Sequence, residues 1–138
     1  MIKAEDLRIG DLVKVIGTES VFTDGEICKV EATDVTCGNL ASLKGIDWGI
    51  EECGFLRDCT EIAPIPLTPE ILEKNGWERD KLVSYIYGHK AHFIEVICTP
   101  NSEWVYVTFK GETIHRIKYV HELQHILWAL GLDANLKI

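Results

Sequence analysis

The chain has 138 residues, of which 22 are acidic and 14 basic, for a net charge of −8, and 46% are hydrophobic, including four tryptophans. That supplies a core for one ordinary domain or two very small units. No run approaches the ~18 consecutive apolar residues that span a bilayer, and the charged opening Met1-Ile2-Lys3-Ala4-Glu5-Asp6 lacks a signal peptide's apolar core, so we expect a cytoplasmic protein with no membrane partner.

The acidity is local. Residues 1–66 carry thirteen acids and six bases, residues 67–138 nine and eight. Nucleic-acid binding through phosphate neutralisation needs a basic stripe, which the first half lacks, so nucleic acid is disfavoured as a partner. A protein partner or a cationic ligand is easier to accommodate.

In chain order, residues 5–16 open with a polar turn, pass through Gly10-Asp11 and enter an alternating apolar strand, as small SH3-like barrels often do. Asp24-Gly25 is a hairpin signal before a strand at 26–33, in which Cys28, Val30 and Ala32 alternate with Ile27, Lys29 and Glu31. Further short strands are expected at 35–37, 40–43, 48–50 and 59–63, punctuated by Gly38, Gly45 and Gly54. Together they predict an SH3-like β unit over residues 1–63, a compact barrel or strongly bent sheet. The five cysteines, at 28, 37, 53, 59 and 98, form an odd set with no Cys-x-x-Cys pair, which removes zinc-ribbon and thioredoxin-like motifs. They read as buried thiols in a reducing compartment, with a disulfide between two of them left open.

Residues 64–67, between Pro64 and Leu67, are the expected linker, because prolines hold the backbone extended and withhold donors from a sheet. A short helix should start at once, with Thr68 as N-cap, Pro69 at the first position, Leu67 stapled to Leu72, and Asn75-Gly76 as its end. Strands follow at 82–87, 92–98 and 104–109, with a possible fourth at 113–116, joined by turns at 88–90, 99–102 and 110–112. The strongest helix of the chain is expected at 117–131. Its apolar stripe is Tyr119, Val120, Leu123, Ile126, Leu127 and Leu130, Lys118 and Glu122 can pair on the polar side, and Gly131 with Leu132 closes it. Residues 68–138 thus read as an α-β-β-β(-β)-α unit whose antiparallel sheet is covered by the last helix. The fold class as a whole is α+β.

Alternation puts Val105, Val107 and Phe109 on one sheet face with Ile94, Val96 and Cys98. Trp104 and Tyr106 fall on the other, where Tyr85, Tyr87 and Phe93 can join them. Trp104, Tyr106, Tyr85 and Tyr87 are therefore the candidate partner-binding residues, for a protein partner or for self-association, and the acidic first half favours a basic partner.

His121-Glu122-Leu123-Gln124-His125 has the His-Glu-x-x-His form that, in zinc peptidases, sets two metal ligands and a general base on one helix. A catalytic zinc needs a third protein ligand, usually downstream, where only Asp133 lies. Gln124 also stands where the His-Glu-Leu-Gly-His of small prophage-associated peptidases has glycine. The primary reading therefore assigns no catalytic residue, no metal and no cofactor. The alternative is a minimal zinc hydrolase with Glu122 as base and His121, His125 and His115 as ligands.

Three stretches carry a resemblance: Leu7-Arg8-Ile9-Gly10-Asp11-Leu12-Val13-Lys14, the run from Pro64 through Leu67-Thr68-Pro69-Glu70-Ile71-Leu72 to Trp77, and Ile117-Lys118-Tyr119-Val120-His121-Glu122-Leu123-Gln124-His125. They resemble a family of small uncharacterised proteins of gut bacteria and their prophages or mobile elements. The resemblance implies a cytosolic protein with no assigned activity, while the residues themselves favour a small accessory or protein-interaction protein over the zinc hydrolase.

Overall fold

The computed structural model describes residues 2–17, 22, 24–34, 40–46, 55–89 and 93–138. The strands expected at 35–37 and 48–50, with Cys37 and Cys53, lie outside them. The fold is mixed α+β, with two five-stranded antiparallel sheets and few helices. The chain divides into two compact units, Met1–Ile65 and Pro66–Ile138.

In the first unit a 3-10 turn, Ala4–Asp6, precedes β1 (Leu12–Val15), β2 (Ile27–Asp34), β3 (Leu40–Gly45), β4 (Phe55–Asp58) and β5 (Ile62–Pro64), in the spatial order β4-β3-β2-β1-β5. Gly10 takes φ +97°, and the buried Asp11 fixes the turn by accepting the Arg8 N–H at 2.7 Å. Ile2, Ala4, Leu7, Val13, Val15, Phe22, Cys28, Val30, Ala41, Leu43, Cys59 and Ile62 form one buried apolar cluster, so the segment before β1 is part of the core. Ala32 is exposed, against the expected alternation, because a bulge between Val30 and Ala32 shifts the phase of β2. The expected strand at 59–63 starts only at Ile62: the Asp58 carboxylate accepts the Thr60 N–H at 2.9 Å and winds Cys59–Glu61 into a 3-10 turn. That hydrogen bond also holds the Asp58 carboxyl below its ordinary range.

Of the two forms expected for this unit, a compact barrel or a strongly bent sheet, closure is not seen. Among the described residues β4 pairs only with β3 and β5 only with β1, so no closed barrel is found. β5 is three residues long and ends on Pro64, which has no N–H to extend a ladder.

The second unit contains α1 (Pro69–Lys74), β6 (Glu78–Arg79), β7 (Ile86–Gly88), β8 (Ile94–Ile97), β9 (Val105–Phe109), β10 (Glu112–Ile117) and α2 (Val120–Ala129), its sheet ordered β10-β9-β8-β7-β6. The expected linker residues are built into structure, since Pro64 belongs to β5, Pro66 bridges Tyr119, and the Leu67 N–H donates to the Lys118 carbonyl at 2.9 Å. Both helices therefore start from one short bridge. Thr68 caps α1, its hydroxyl accepting the Ile71 N–H at 3.4 Å.

Each helix closes in the same way. Gly76 (φ +82°) follows α1 with the Trp77 N–H on the Leu72 carbonyl, and Gly131 (φ +73°) follows α2 with the Leu132 N–H on the Leu127 carbonyl. α2 is shorter than expected because Ile117 pairs with Val105 as the last residue of β10. Its buried face is Val120, His121, Leu123, Gln124 and Leu127, turned most of a residue step from the predicted stripe, so that Leu130 is exposed. The Gln124 amide donates to the Ala134 carbonyl at 3.0 Å, which lets a polar side chain occupy that face.

Cross-strand register settles the two faces of this sheet. Tyr87, Val96 and Val107 are directly opposed on one face and buried. Ile86, Ile97, Tyr106 and Arg116 form the opposing row on the other.

Candidate functional site

Several segments of the second unit converge on an open groove of about 380 Å³, among them Leu67 and Pro69 at the start of α1, Arg79 of β6, the turn carrying Ser84 and Tyr85, Tyr87 of β7, and the stretches 98–100 and 102–105. The Asp80 carboxylate accepts the N–H groups of Leu82 at 2.8 Å and Val83 at 2.9 Å, and the Cys98 N–H donates to the Tyr85 carbonyl at 2.8 Å, fixing the turn that presents Tyr85. These donors, Val83 first, hold the Asp80 carboxyl below its ordinary value. Across the groove, Ser102 Oγ accepts the Trp104 N–H at 3.2 Å and donates to the Trp104 carbonyl at 3.1 Å. Asn101, at φ +66°, turns the chain into this arrangement.

Ionic contacts orient the rings. Arg79 Nε donates to Tyr87 Oη at 3.1 Å, while its other end reaches Glu73 Oε1 at 3.0 Å. Arg116 Cζ and Lys118 Nζ lie 4.5 and 4.7 Å from the centroid of the Trp104 ring, within cation–π range. Lys118 Nζ also donates to Glu103 Oε2 at 2.9 Å, lowering the Glu103 pKa and raising that of Lys118. The pair expected between Lys118 and Glu122 thus gives way to one with Glu103, because Lys118 lies before the helix.

The predicted partner-binding residues separate. Tyr85, Tyr87 and Trp104 line the groove, whereas Tyr106 is not among its lining residues and is 37% exposed in the row with Ile97 and Arg116. Tyr87 is 2% exposed, on the core face rather than with Tyr106, because its partner across β8 is Val96. Cys98 also lines the groove, its thiol pushed up to about 11 by burial and the nearby Glu70, and so protonated and unreactive at neutral pH.

In the His-Glu-x-x-His stretch, His121 is buried and stacked on Tyr119 at 5.9 Å, with its ring 5.7 Å from that of the half-buried His125. Glu122 is half-buried, and His115 is exposed on β10 opposite Val107. Among the described residues no three His, Cys, Asp or Glu side chains gather to hold a metal, so His115 does not complete a set with the helix histidines.

Sequence reading did not find Arg79, Arg116 or Lys118 as parts of the site. Arg116 and Lys118 are two apart on one strand approach, which puts them on one face, but the register that sets Arg116 opposite Tyr106 and Lys118 level with Trp104 depends on a bulge between Thr113 and His115. No helix among the described residues is long and apolar enough to cross a membrane. Comparison with protein-family models, curated proteins and solved structures finds no match to this chain.

Proposed function

We propose that the protein is a small accessory protein that binds a segment of another protein in the groove of its second unit. The observation that carries this reading is that Tyr85 and Trp104, from two separate segments, line one groove beside Leu67 and Pro69, with the buried Tyr87 beneath them. Rings with an apolar body and a polar tip contribute much contact area at little entropic cost, which is why they are enriched at interfaces. Ion pairs to Glu73 and Glu103 hold the accompanying cations in place.

A second copy of the chain is a poorer occupant. A two-fold contact centred on Trp104 would crowd Arg116 and Lys118 of both copies around the axis. A cytoplasmic location and membership of the bacterial and prophage family resembled above belong to this proposal. So does an SH3-like character for the first unit, supported by its five short antiparallel strands around one small core.

The test is selection of a displayed random-peptide library on the immobilised full chain, with sedimentation of the free protein in parallel. Enriched peptides are expected to lose about tenfold in affinity or more on Trp104→Ala and on Tyr85→Ala, with circular dichroism unchanged. A library yielding no binder, or binders indifferent to both substitutions, would overturn the reading, as would a protein that self-associates through Trp104.

A further inference from the structure

Resting on the groove reading above, we infer that the segment bound is a short polyproline II stretch with an acidic residue beside its prolines. The groove limits how a peptide can enter. Strand addition needs a free sheet edge, but β9 is paired on both sides, by β8 and β10, and the sheet edge nearest the groove is β6, only two residues long. An amphipathic helix wants a long apolar trough. This groove is at the low end of the ~300–1,000 Å³ of ligand clefts, and Ser84, Thr99, Ser102 and Glu103 are interspersed with its rings.

A polyproline II segment makes neither demand. It has no internal hydrogen bonds and arrives with solvated carbonyls, so it suits a surface of ring faces with donors on side chains. Tyr85 and Trp104 carry such donors, a hydroxyl and an indole N–H, and Pro69 and Pro100 line the wall.

Charge selects the flanking residue. Arg79 is paired with Glu73 and Lys118 with Glu103, whereas Arg116, on the Trp104 ring, has no ion pair with a carboxylate among the described residues. A carboxylate of the bound segment beside Arg116 would complete the third pair.

The experiment uses the full chain and three fluorescein-labelled peptides read by anisotropy: one of five prolines flanked by glutamates, one of five prolines flanked by lysines, and one of five alanines flanked by glutamates. The first should bind best, with about tenfold losses for the alanine peptide and severalfold losses for the lysine peptide. Arg116→Glu, at an exposed position and with its circular dichroism checked against the natural chain, should reverse the preference between the glutamate and lysine peptides. No binding of the proline–glutamate peptide at ~1 mM, equal binding of the alanine peptide, or an unchanged charge preference in Arg116→Glu would overturn the inference. Library binders that depend on Trp104 but contain no proline would sink this inference while leaving the groove reading standing, whereas a library without binders sinks both.

Discussion

Single side chains set much of the local geometry, and two of them make measurable predictions. Asn75 donates its amide to the Ile71 carbonyl at 2.8 Å and the Lys137 carbonyl at 2.7 Å while accepting the Lys137 N–H at 2.7 Å, so one residue both ends α1 and holds the segment after α2. Asn75→Ala should lower stability by about 1–2 kcal/mol in urea unfolding, since three partly solvated hydrogen bonds are lost together. Asp80 and Glu103 both have carboxyls held below their ordinary values, by the N–H groups of Val83 and Leu82 and by Lys118 respectively. A depressed folded pKa means stabilisation that is present above the unfolded carboxylate value and is lost as pH falls through the folded one. Urea midpoints should therefore drop between about pH 5 and pH 2, and Asp80→Asn, which keeps an acceptor oxygen but cannot titrate, should flatten that decline. Asp80 was not legible as a site residue, because its role is to bond the turn two and three residues on, and nothing in the sequence marks that turn as groove wall.

Elements were most legible where local chemistry decides them. Thr68-Pro69 and Asn75-Gly76 bounded α1, Gly131-Leu132 closed α2, and the two-residue turn at Lys110-Gly111, both at positive φ, joined β9 to β10. Open space surrounds the Cβ position at Gly76 and at Gly131, so alanine there meets backbone strain and no clash. Gly76→Ala and Gly131→Ala should each cost about 1 kcal/mol, read as a lowered thermal midpoint. Elements set by tertiary pairing were not legible. β6 is only Glu78–Arg79, recognisable by its partners Gly88 and Tyr87, and β4 carries no alternating pattern long enough to register. The site was half legible for the same reason: Trp104 and Tyr85 stood out as aromatic, but their cations depend on register. The tight turn opposes Phe109 and Glu112, and uninterrupted pairing from there would set Ile117 level with Trp104. The bulge between Thr113 and His115 advances the strand by one, bringing Ile117 to Val105 and Lys118 level with Trp104.

At the scale of the molecule, the division falls between Ile65 and Pro66. A fragment of residues 66–138 should then keep its helix content and melt cooperatively, since its buried Leu72, Trp77, Tyr87, Val96, Val107, Ile117, Leu123 and Leu127 all lie within it. A fragment that stays unfolded would show that the two units depend on a common core. The same unit also ends its sheet on β10, six residues long and exposed along all but the last. A regular strand in that position is a template on which further chains can stack into fibrils. The extra residue in β10 breaks the even spacing of its outward N–H and carbonyl groups, so a second strand could match it over only a short run. Deleting Ile114 would restore that spacing, and the price of a regular edge should be thioflavin-positive aggregates from concentrations at which the natural chain stays in solution.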